Sequence, residues 1–141
     1  MSQANVDLAK TGIAAINETF KSGDMGPWTR HVEVAFDPEI VLEMGSGAFT
    51  EGEWRGHQGL VQYLASAMDV LEDMWIRADD VIDVSDELLV VLVTFGGHAR
   101  HTGLKVENSL THIFKFRGGA VMRWQVFEGR KPALEAIGLG G

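Results

Sequence analysis

The stretch Asn108–Phe127, NSLTHIFKFRGGAVMRWQVF, constrains the fold of this chain more than any other. It reads as two strands joined by a tight turn at Gly118-Gly119. In the first strand Asn108, Leu110, His112, Phe114 and Phe116 alternate with Ser109, Thr111, Ile113, Lys115 and Arg117. A period of two puts the first set on one face of a sheet and the mostly polar second set on the other. One titratable side chain, His112, therefore sits in the middle of an apolar face, where a small pocket would keep its chemistry.

The rest of the chain supplies what covers that face. Val6, Ala9, Ile13, Ile16 and Phe20 step by three and four, so the first helix is amphipathic, and Gly23 suits the left-handed position that ends it. Asp24 caps a second helix bearing Trp28, Val32 and Ala35, which stops at Asp37-Pro38. Ile40–Met44 (IVLEM) reads as a short strand, its apolar run broken only by Glu43. Gly45–Gly56 reads as a glycine-rich loop holding Phe49 and Trp54, either a lid over a pocket or an edge of the core. A third helix starts near His57, with Leu60, Tyr63, Leu64, Ala67, Met68 and Leu71 on one face.

From Met74 the period becomes strand-like. Leu88–Phe95 (LLVVLVTF) is a near-continuous apolar run, which implies cover on both faces. Helices would cover one face and a second subunit the other, so a homodimer through the convex sheet face is expected. A turn centred on Thr102-Gly103 would set Val93 opposite His112, and Gly97 opposite Asn108. That register leaves one blemish, Lys105 opposite Arg100. The last strand would carry Met122, Trp124 and Val126 on one face, before a short closing helix with Leu134 and Ile137. The order predicts an α+β domain spanning residues 1–141: a curved antiparallel sheet with three N-terminal helices on one side.

Charge narrows the class of partner. A net charge of −8 argues against nucleic acid and against anionic membrane surfaces. No apolar stretch approaches the length of a membrane span, and MSQANVDLAK lacks the pattern of a signal peptide, so the expected location is the cytoplasm. With no cysteine there is no disulfide framework and no thiolate metal site. His98 and His101 are three apart on a strand and point to opposite faces, so no metal is expected.

RGHQGLVQYL and THIFKFRGGAVMRWQVFEGRKPALEAIGL, in this order of elements, resemble the SnoaL-like branch of the nuclear transport factor 2-like superfamily. Ketosteroid isomerase and the polyketide cyclases belong to it. The resemblance covers nearly the whole chain and implies a cone: helices closing over the concave face of a bent sheet, around a deep apolar cavity. It places His112 where the family carries an acid or oxyanion-binding carboxylate, Glu43 where the isomerase carries its general base, and Ile16 where it carries an oxyanion tyrosine. An imidazole and an aliphatic thus stand where that isomerase needs an acid and a phenol.

The expected chemistry follows from burial. A carboxylate in an apolar cavity is poorly solvated, so Glu43 would be a usable base. His112 would donate a hydrogen bond to a developing enolate or shuttle a proton. Asn108 would orient a polar group. Trp28, Trp54, Tyr63, Trp75, Phe95, Phe114 and Trp124 would wall a small hydrophobic substrate. Two functions stay open. One is a cofactor-free isomerase, cyclase or dehydratase acting on a hydrophobic carbonyl or polyketide-like compound. The other is a non-catalytic ligand-binding or dimerisation module. In an enzyme His112 and Glu43 should line one cavity without private partners; in a binder at least one should be absorbed into the scaffold.

Overall fold

The structure is a computed structural model that describes residues 3–45 and 52–138. Its elements are α1 (Gln3–Ser22), α2 (Gly26–Ala35), β1 (Phe36–Met44), β2 (Gly52–Arg55), α3 (Gly56–Val70), β3 (Leu71–Ser85), β4 (Leu88–Ala99), β5 (Lys105–Arg117), β6 (Ala120–Glu128) and α4 (Lys131–Ala136). The strands form one curved, unclosed six-stranded sheet in the order β2-β1-β6-β5-β4-β3. The expected α+β architecture is what the chain builds.

Local chemistry explains the helix boundaries. Gly23, at φ 74°, donates its N–H to Thr19 O at 2.9 Å and ends α1. Met25, not the expected Asp24, is the N-cap of α2; the Asp24 carboxylate accepts the Gly26 N–H at 2.9 Å from one residue further back, and Pro27 occupies the first turn of α2, where a missing N–H costs nothing. Buried Thr19 accepts the Trp28 N–H at 3.1 Å, and the Trp28 indole donates to Leu60 O at 3.0 Å, tying α1, α2 and α3 together. The outer side of edge strand β3 is closed by Asn17, whose side chain both donates to Ile76 O and accepts from Ile76 N–H at 2.8 Å.

The sheet departs from the sequence expectations in five places. β3 starts at Leu71, expected on the face of the third helix, because α3 ends at Val70. Gly52–Arg55 is an edge strand paired with β1, not loop; four residues are too few to display a period. The rest of the supposed lid, residues 46–51 with Phe49, lies outside the described residues. β1 begins at Phe36 and passes through Pro38 at an irregularity between Phe36 and Val41, where the ladder needs no N–H from proline. β1 also runs parallel to β6, because no hairpin joins them and dictates direction.

The β4–β5 loop and the β5–β6 pairing account for the other two. Ala99 N–H bonds Leu104 O across a four-residue loop with Gly103 at φ 72°, so Val91, not Val93, faces His112 and Phe95 faces Asn108. Lys105 now opposes His98, which removes the like-charge pair with Arg100. The shift is an even one, so each residue keeps its face. In β6 a register shift between Lys115 and Phe116 brings Val121 inward in place of Met122.

The concave face carries Leu42, Met44, Val91, Phe95, Leu110, His112, Trp124 and Val126, all buried beneath α1, α2 and α3. On the convex face Val90 and Ile113 pack with Ala133 of α4, with Leu92, Phe127 and Ile137 around them. The apolar run of β4 is therefore covered on both sides, in part by the chain's own closing helix.

Candidate functional site

His112 lies at the middle of β5, 4% exposed, on the concave face. Its neighbour across the strand pair, one step diagonal, is Trp124, whose indole N–H donates to His112 Nδ1 at 3.1 Å. A neutral imidazole that accepts at Nδ1 carries its proton on Nε2. Burial pushes the His112 pKa down to about 3, so the ring is neutral at ordinary pH. His112 is thus a fixed, uncharged Nε2–H donor. The expected proton shuttle would need a lone pair that Trp124 already occupies.

Two apolar cavities meet at this ring, sharing Ile16, His112 and Trp124 as their common wall. The larger, ≈60 Å³, lies between the sheet, α1 and α3 and is lined by Phe20, Met44, Tyr63, Met74 and Phe95 among others. The smaller, ≈30 Å³, lies toward α2 and is lined by Gly12, Trp28, His31, Phe36 and Phe114 among others. Both exceed the roughly 10–15 Å³ that one water requires. Trp124 stacks on Phe114 at 5.4 Å and on Phe36 at 5.6 Å, which holds the wall in place.

Tyr63 meets Trp124 edge-on at 6.0 Å and Trp54 at 5.9 Å. Burial raises its pKa to about 12, so its hydroxyl stays protonated and can donate. Tyr63, Phe95, Trp28, Phe114 and Trp124 all line one or both cavities. Trp54 stands behind Tyr63 and lines neither. Asn108, half-buried near the start of β5, also lines neither, and its side-chain oxygen accepts the Ser109 N–H at 3.0 Å.

Two expected site residues are on the wrong side of the sheet. Alternation along β1 sends Leu42 and Met44 into the core and Glu43 to the convex face. There the Glu43 carboxylate pairs with the Arg123 guanidinium, which it keeps firmly protonated. Glu43 and His112 do not share a cavity, so the expected acid–base pair is not assembled. Trp75 likewise faces outward; its indole covers Gly96, and the Arg77 guanidinium sits 5.4 Å over its ring.

His31 was not anticipated. It stacks on Trp28 at 5.7 Å and meets Phe36 edge-on at 5.9 Å. The three-residue spacing from Trp28 on α2 was the available sequence signal. Gly12 makes room for it: a β-carbon there would sit 2.8 Å from His31 Nε2. A glycine inside a helix costs about 1 kcal/mol relative to alanine. Among the described residues no three histidine or acidic side chains gather as a metal site requires, and no described helix is long and apolar enough to cross a membrane.

The comparisons with known proteins fit this geometry. The family model for the SnoaL-like domain matches residues 13–124, from the first helix to the indole beside His112. The chain belongs to the SnoaL-like domain family. Among solved structures, one similar to this SnoaL-like chain is a hypothetical protein of ketosteroid isomerase-like fold from Catenulispora acidiphila, in complex with trimethylamine. It has a TM-score of 0.71 at 12% identity, covering 99% of this chain and 95% of that one. TerC, co-crystallised with polyporic acid, has a TM-score of 0.71 at 18% identity, covering 94% and 95%. A proposed SnoaL-like polyketide cyclase from Jannaschia sp. has a TM-score of 0.64 at 14% identity, covering 93% and 91%. At such identities the likeness establishes the SnoaL-like fold and nothing finer. No curated protein sequence matches this chain.

Proposed function

We propose that this SnoaL-like chain binds a small, flat, largely apolar molecule through one carbonyl-type oxygen. His112 Nε2–H and the Tyr63 hydroxyl are its donors in the larger cavity. The observation that carries this reading is the Trp124-to-His112 bond, which turns a buried histidine into a donor aimed away from its one hydrogen-bond partner among the described residues. Apolar walls with a few oriented polar groups are the usual make-up of a small-molecule site. Relatives of the same fold hold trimethylamine and polyporic acid, which supports small-molecule binding as the use of such a hollow.

A catalytic use is the second reading, favoured by the same uncharged donor. A buried N–H aimed at a carbonyl oxygen stabilises the negative charge that develops there during isomerisation, cyclisation or dehydration. Glu43 is not its base, since that carboxylate is held by Arg123 on the far face. The homodimer belongs to this proposal as well. A second copy would sit on the convex face beyond α4, over Trp75, Arg77 and Thr94, and sedimentation of the purified chain tests it.

The binding test compares acetophenone with its hydrocarbon isostere α-methylstyrene, in the native chain and in His112→Phe. One hydrogen bond is worth about 1 kcal/mol net, so the native chain should prefer the ketone about fivefold. His112→Phe should lose most of that preference. An equal preference in both proteins would remove His112 from the site.

A further inference from the structure

The larger cavity is walled mostly by stiff side chains. Ile16, Ile76 and Val93 are branched at Cβ, and Trp124 is fixed by its bond to His112. The pliant members are Met44 and Met74, unbranched thioethers with three rotatable bonds. Met44 is 7% exposed and enclosed, whereas Met74 is half-buried and has a solvent side to move toward. Met74 also reaches this wall through an irregularity. It lines the cavity together with Leu71, three residues back on β3, and a regular strand would send those two to opposite faces. A bulge resolves the parity: Glu72 pairs with His98 and Trp75 with Gly96, which leaves Asp73 and Met74 opposite the single Gly97. Asp73 takes φ 53°, the one positive value outside glycine among the described residues. Gly97 leaves the space this needs, since a β-carbon there would sit 2.9 Å from Glu72 O and 3.2 Å from Met74 Cγ. The Asp73 side chain is itself exposed and lines neither cavity, so its backbone does the aiming.

We propose that Met74, aimed by the bulge at Asp73, is the adjustable wall of the larger cavity and determines how wide a ligand the site admits. The inference rests on the binding reading above and deepens it. The ligand class becomes flat ketones of one ring or of two fused rings. The carbonyl keeps its place at His112, and the second ring takes the space that Met74 vacates as it swings outward.

The experiment measures the affinities of acetophenone and methyl β-naphthyl ketone by calorimetric titration. The fused ring adds four carbons, and burying even two of them should make the naphthyl ketone bind the native chain about tenfold more tightly. Met74→Ile keeps the strand and the apolar character but stiffens the side chain, so that ratio should fall to about one while acetophenone affinity holds. Met74→Ala removes the wall and should keep the ratio, which a merely structural role for Met74 would not do. Asp73→Val, a β-branched residue that resists positive φ, should lower the ratio, and Asp73→Gly should keep it, with folding checked by thermal melting. A ratio near one in the native chain, or the native ratio retained in Met74→Ile or in Asp73→Val, overturns the inference while leaving the binding reading intact. Acetophenone that does not bind, or whose preference over α-methylstyrene ignores His112→Phe, overturns both.

Discussion

Replacing His112 with phenylalanine should change the acid stability of the protein in a way no surface histidine could. In the unfolded chain a histidine titrates near 6.5, whereas the folded site holds His112 at about 3. Between those values the unfolded state binds one more proton than the folded state. Folding stability is therefore fully present above pH 6.5 and is lost as pH falls, by about 1.4 kcal/mol per pH unit. At pH 4.5 the native chain should have lost about 2.7 kcal/mol through this one residue. His112→Phe removes that linkage but leaves the Trp124 indole N–H buried without its acceptor, which costs about 1–3 kcal/mol at every pH. The variant should be the weaker protein at pH 7.5, draw level near pH 5, and be the more stable one below it. Urea melts at matched ionic strength across that range give the difference directly, and acid effects of the carboxylates cancel in it. A gap between the two proteins that stays constant from pH 7.5 to 4.5 would mean that His112 titrates alike folded and unfolded, and the buried neutral imidazole would be refuted.

Three further outcomes follow from the same geometry. Glu43→Gln should leave acetophenone affinity within error in calorimetric titration, and lower stability by less than about 1 kcal/mol, since both members of its ion pair are partly exposed. Asn17→Ala should cost about 1–3 kcal/mol in urea melts, because it strips both bonds from the Ile76 backbone. Tyr63 is the one tyrosine of the chain, so phenolate absorbance reads it alone. No transition should occur near pH 10, where an exposed phenol titrates, because the folded value is about 12.

Much of this site is legible along the chain, and the failures share a cause. Alternation in THIFKF places His112 inward whatever the partner strand does, and it survived a register that moved by a pair of residues when the loop proved to be Arg100–Gly103. Alternation also applies to IVLEM and would have sent Glu43 outward with Val41. The density of apolar residues around it and its family position hid that parity. Trp75 is the same case, since Ile76 is its inward neighbour. What no local pattern could give is the partner of each residue. The Arg123 that takes Glu43 arrives through a parallel pairing between strands far apart in sequence, and the Trp124 bond that sets the His112 tautomer depends on the β5–β6 register. His31 was hidden for another reason: its importance lies in the absence of a β-carbon at Gly12 on a different helix.

One proton decides what His112 can do. Nitrogen-15 NMR of the imidazole side chains reads which ring nitrogen of His112 carries it. The predicted spectrum shows Nε2 protonated and Nδ1 bare, coupled to the Trp124 indole proton, and unchanged between pH 8 and about pH 5. A proton on Nδ1, or a titration midpoint near 6.5, would contradict it.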